Sequence, residues 1–80
     1  MYNLMRRYNE EKGNYPATIL FIHDDQCNYV FGEDADILSK IFFWMPLCAI
    51  GDTSYLMVHD RYWEQVVYLM AKMGLRYEVI

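Results

Sequence analysis

Apolar and polar positions follow two alternating periods along this chain, and each change of period marks an element. Leu4, Met5 and Tyr8 recur at helical separations between residues 2 and 12, with Arg and Glu on the remaining face and a stop at Gly13-Asn14. A short first helix is expected there. Thr18 to His23 is a run of β-branched and aromatic residues behind Pro16, and its shortness favours a strand. Asp24-Asp25-Gln26 reads as a turn, and Asn28 to Phe31 as the strand that folds back on the first. From Glu33 or Asp34 the period becomes helical again. Acidic residues occupy the first turn, where the macrodipole favours them, and Ala35, Leu38, Ile41 and Phe42 share one face up to a stop at Pro46.

Leu47 to Ile50 and Ser54 to His59 flank Gly51-Asp52-Thr53, which predicts a second hairpin. Asp60 is placed to cap a third helix, in which Tyr62, Val66, Leu69, Met70 and Met73 form an apolar stripe that Gly74 ends. Arg76 to Ile80 is the last strand. The order α-β-β-α-β-β-α-β implies the α+β class, a single mixed sheet with three helices against it, in one domain over residues 1 to 80.

Composition narrows the function. A chain of 80 residues buries only about 60% of its unfolded surface, which leaves no room for a large catalytic cleft. At 55% hydrophobic and 22% charged residues it should fold, with a Tyr- and Met-rich core. The longest apolar run is broken by Pro46, well short of the ~20 residues of a membrane helix. Arg6 and Arg7 are followed by polar residues where a signal peptide would be apolar, so a cytoplasmic location is expected. Cys27 and Cys48, without a CxxC spacing, read as reduced thiols. The net charge is -4, whereas free-standing nucleic-acid binders are usually basic. The seven basic residues are dispersed, and the acidic ones concentrate at Asp24-Asp25 and at Glu33, Asp34 and Asp36.

Tyr8, Lys12, Pro16, Leu20, Phe21, Phe31, Glu33, Asp34 and Ala35, with Gly74 and Val79 further on, fall in a pattern that resembles the N-terminal mismatch-recognition domain of the MutS proteins. The resemblance runs over nearly the whole chain and implies a stand-alone, divergent scaffold of that kind. In that family a phenylalanine stacks on a mispaired base and a glutamate two positions later hydrogen-bonds it. Those positions are Cys27 and Tyr29 here. A thiol offers too little flat surface to recover the few kcal/mol that unstacking costs, since stacking returns ~1–3 kcal/mol per base. The family's longer glycine-rich stretch after the second helix is missing, and Met57-Val58-His59 stands where its proline turn would fall. What the resemblance implies for binding is weak contact with duplex DNA, with Cys27, Asn28 and Tyr29 near the bases and Arg6, Arg7, Lys12, Lys40 and Arg76 at phosphates.

Other chemistry is thin. Asp24, Asp25, Glu33, Asp34 and Asp36 could suggest a Mg²⁺ site, but no lysine accompanies them, and a solvated turn plus a helix start accounts for all five. His23 and His59 end strands beside Asp24 and Asp60, with Cys27 close to His23 across the turn, and both read as surface residues. No GxxxxGK[ST] sequence is present, so no nucleotide is expected. Neither an enzyme, a metal nor a cofactor is expected. The eight tyrosines and two tryptophans exceed what so small a core holds, and Tyr2, Tyr15, Tyr55 and Tyr77 cannot all be central. Exposed aromatics of this kind suit a protein partner or a homodimer. Two functions follow: a DNA-associated module, or a protein-interaction module using an exposed aromatic face without DNA binding. The first predicts affinity for a mismatched duplex that falls steeply as salt rises. A titration with matched and mismatched duplexes of equal length checks it, and no binding at low salt would remove it.

Overall fold

A computed structural model describes all 80 residues. Strand β1 (Ile19–Asp24) and strand β2 (Cys27–Phe31) pair antiparallel, with Asp24 opposite Cys27. The two-residue loop between them holds Asp25 and Gln26 at φ of 47° and 66°, the backbone that matches the twist of a tight hairpin. Helix α1 (Tyr2–Glu11) precedes them and continues as a 3-10 turn over Lys12–Asn14. Helix α2 (Gly32–Ile41) leads to strands β3 (Cys48–Ile50) and β4 (Thr53–His59). Gly51, at φ 59°, takes the first central position of their two-residue turn, which a side chain would strain. A 3-10 turn (Asp60–Tyr62), helix α3 (Trp63–Lys72) and strand β5 (Tyr77–Val79) complete the chain.

The five strands form one mixed sheet in the order β3-β4-β2-β1-β5, with only β1 and β5 parallel. Two crossovers leave it, β2 to β3 through α2 and β4 to β5 through α3. They run in opposite directions across the sheet, and their strands also point in opposite directions. Right-handed connection therefore puts both helices on the same face, and the buried groups agree. Ile19 and Phe21 of β1 join Ala35, Leu38, Val66 and Met70 in one cluster, whereas Leu20 and Ile22 join Tyr8 of α1 in another. β1 is buried on both faces along Ile19 to Ile22, which explains its unbroken apolar run.

Several expectations are corrected. The core is built from phenylalanine and branched aliphatic residues, and Tyr8 and Met70 are its only Tyr and Met. Helix α2 ends at Ile41 and not at Pro46, because Phe42 leaves helical geometry at φ -102° and ψ 63° and Phe42–Met45 forms a turn, with Met45 N–H donating to Phe42 O at 2.9 Å. Asp34 is not a solvated first-turn residue but 4% exposed. Its Oδ2 accepts from Tyr8 Oη at 2.5 Å and from the Leu20 amide at 3.2 Å, and lies 2.8 Å from Lys12 Nζ. Lys12 also donates to Thr18 O at 2.5 Å. Burial, and then the Asp34 carboxylate, pushes the Tyr8 hydroxyl far above the ordinary phenol range.

Removing one member of a buried ion pair strands the other. Asp34→Ala should cost about 3 kcal/mol of unfolding free energy, and Tyr8→Phe about 1.5 kcal/mol through the lost charge-assisted hydrogen bond. Urea denaturation of the two variants checks both values and their order.

Candidate functional site

The pleat sorts the residues expected at the hairpin. Cys27 lies opposite both Asp24 and His59, and Tyr29 opposite both Ile22 and Met57, so Cys27 and Tyr29 share the α1 face. Tyr29 lies within the sheet, whereas Cys27, opposite Asp24, flanks the turn of Asp25 and Gln26 at the hairpin's tip. Tyr29 stacks on Phe31 with centroids 6.4 Å apart and planes at 15°. Burial first, then Cys27 and the carboxylates of Asp24 and Asp25, raises the Tyr29 hydroxyl above its usual pKa. Asn28 points to the opposite face and is 3% exposed. Its Nδ2 donates to Val58 O at 3.2 Å and to Asp60 Oδ1 at 2.9 Å, which commits the amide to the interior.

His23 faces the same side as Asn28, opposite it in register, while Cys27 faces the other. The pleat thus separates Cys27 from His23, and the two cannot act as a nucleophile and base. His23 Nε2 instead lies 3.1 Å from Asp60 Oδ2. That hydrogen bond, opposed by partial loss of hydration and aided by Asn28, holds the Asp60 carboxyl below the usual carboxylate range. Asp60 therefore does not cap the last helix. His59 does that work at the preceding 3-10 turn, where its Nδ1 accepts from the Arg61 amide at 3.0 Å. No group of three His, Cys, Asp or Glu side chains converges anywhere in the chain to hold a metal.

The basic residues do not assemble into one surface. Arg6 and Arg7 are exposed on α1, and Arg6 Nε is 4.0 Å from Glu10 Oε1. Lys40 ends α2, on the other side of the sheet. Lys12 is paired with Asp34, and with Arg76 it lines a hollow of about 310 Å³ that also contains that carboxylate.

A larger groove, of about 540 Å³, opens beside β4. One wall is the segment Trp44 to Pro46, the other is Tyr62 with Gln65 and Leu69 along α3, and Met57 to His59 lie between. No Lys, Arg, Asp or Glu lines it. Trp44 is 56% exposed and Met57 54%, and Phe43 beside them is 83% exposed, its ring centroid 5.5 Å from that of Trp44. Of the tyrosines singled out from the sequence, Tyr55 reaches this groove, Tyr15 is half-buried, and Tyr2 and Tyr77 are exposed elsewhere. Trp44 is one of the two tryptophans counted among the excess aromatics, whereas Phe43 and Met57 are not singled out for a surface role by the sequence. A signal was present in the unequal arms of the second hairpin and in the aromatic pair just before Pro46.

The sequence matches no protein-family model, and no curated protein is detectably similar to it. No helix is long and apolar enough to cross a membrane.

The lowered Asp60 pKa fixes a sign. Folding is favoured by its ionised form, so this contribution is present above the ordinary value of 3.8 and is lost as pH falls through the lower folded value. Asp60→Asn should therefore flatten the acid limb of stability below about pH 4, read from urea midpoints measured across that range.

Proposed function

We infer that this protein is an interaction module that takes a segment of another protein into the groove beside β4. The observation that carries this reading is an uncharged recess whose mouth presents Trp44, Met57 and Tyr62 to solvent. Apolar side chains gathered in this way are far from the scattered exposed residues normal for a surface, and aromatic and Met side chains are those that dominate protein interfaces. Methionine and tyrosine also repack easily around different ligands.

The hairpin end weighs less for nucleic acid. Its tip carries Asp24 and Asp25, Asp60 lies behind it, and Asn28 is turned inward. Those carboxylates repel phosphates, and no cluster of Lys or Arg offsets them. Six of the eleven residues that carry the MutS resemblance, Tyr8, Leu20, Phe21, Phe31, Asp34 and Ala35, are buried and act here as scaffold. A divergent scaffold of that descent is compatible with a protein ligand, because such residues hold the sheet together whatever its surface binds.

Selection from a displayed random-peptide library against the immobilised protein tests the reading. Enriched peptides should lose at least tenfold in affinity to Trp44→Ala and to Tyr62→Ala, as expected for aromatic anchors worth about 2 kcal/mol. Circular dichroism and thermal melting check that both variants stay folded. Peptides indifferent to both substitutions, or no enrichment at all, would overturn it.

A further inference from the structure

The second hairpin has arms of unequal length. β3 pairs with β4 only from Cys48 opposite Tyr55 to Ile50 opposite Thr53, and β4 continues four residues beyond, to His59. In a two-residue hairpin the residues flanking the turn form a hydrogen-bonded pair, and such pairs recur at every second position. Ile50 with Thr53 and Cys48 with Tyr55 are of this kind. Continued by two residues, the same register sets Pro46 opposite Met57. Proline has no N–H to give to the Met57 carbonyl, so β3 cannot be extended.

The consequence falls on β4. Leu56 and Val58 turn their main-chain groups toward β2, where they lie opposite Val30 and Asn28, so Met57 and His59 turn theirs to the open side. No hydrogen bond outside the regular elements reaches the Met57 backbone or the His59 amide, whereas the His59 carbonyl, as the cap of the 3-10 turn, serves the first bond of that turn. Natural sheets blunt such an edge with charged side chains or cover it. This one has an exposed Met57 and a neighbouring apolar recess.

Resting on the groove as an interaction site, we propose that β4 takes an extended, apolar segment of a partner protein as a sixth strand, paired with the main chain of Met57 and the amide of His59 and flanked by Lys or Arg. Main-chain groups of Met57 and His59 call for an extended ligand and not a helix. The uncharged walls call for apolar side chains on its groove-facing side, at every second residue. The chain's net charge of -4 attracts basic flanks. A second copy fits less well, because two-fold pairing through β4 would set recess against recess, whereas a single strand fills one.

The probe is a synthetic peptide of alternating valine and threonine with two lysines at each end, tested with three changes. N-methylation of alternate backbone amides in one register should weaken binding more than tenfold, and in the other register leave it nearly intact. Amide hydrogen exchange at Met57 and His59 should slow on binding, and Met57→Pro, which removes an outward N–H and spares the β2 ladder, should abolish it while circular dichroism stays native. Glutamate flanks should weaken binding at low salt, and the gap should close as salt rises. Binding that ignores both N-methylation registers and leaves those amides unprotected overturns strand addition. If that binding still requires Trp44, the groove remains an interaction site. No binding at millimolar peptide also overturns strand addition, since main-chain pairing tolerates sequence. Slowed exchange at the same amides in a concentration-dependent dimer, without peptide, overturns it in favour of a second copy.

Discussion

One carboxylate holds the layers of this domain together. Asp34 belongs to α2, yet Oδ2 reaches the Tyr8 hydroxyl on α1, the Lys12 ammonium just past it and the Leu20 amide of β1. Leu20 lies beyond the last paired residues of β1 and β2, at the point where the chain turns off into α2. The side chain thus supplies an acceptor to a strand whose neighbour has departed. A buried charge with fewer partners would cost several kcal/mol, and here donors from three segments surround it. The position of α1 on its face of the sheet depends on this group, and so does the packing of Tyr8 against Phe31, with ring centroids 5.6 Å apart.

The handedness of the crossovers decides where surface is left over. With α2 and α3 on one face, the other is covered by a single helix packed over β1 and β2. The β4 and β3 side stays thinly covered, and Met57 there is exposed between the half-buried Tyr55 and His59. The aromatic segment after α2 lies on the other side, where Met45 packs on the α2 and α3 core, and the groove opens between this segment and α3 along the free edge of β4. Opening and edge therefore coincide at β4 because the same connection that builds the three-residue β3 also carries the chain past the groove.

Periodicity made most of the fold legible before any coordinates. Apolar runs at Ile19 to Ile22 and stripes such as Val66, Leu69 and Met70 identify strands and helices because burial acts directly on side chains. Element order, both hairpins and the single mixed sheet followed. What stayed hidden depends on relations between segments far apart in the chain. Asp34 has the composition of an ordinary helix start, and only the docking of α1 makes it a buried anion. Asp60 has the sequence position of a cap, and only the approach of His23 and Asn28 diverts it. The opposed faces of Cys27 and His23 needed a register one residue sharper than the turn residues could give. The groove was the least legible, since it is made by the absence of pairing and leaves only an indirect mark in the proline and in the arm lengths.

Pro46 interrupts the sheet by covalent structure alone. A border guarded by lysine or glutamate would soften or harden with acidity and ionic strength, but a missing hydrogen responds to neither. Whatever docks at this border therefore meets the same vacancy in every compartment. Discrimination among ligands has to come from the shape of the walls and from charge at the flanks, because the main-chain contacts greet almost any sequence alike.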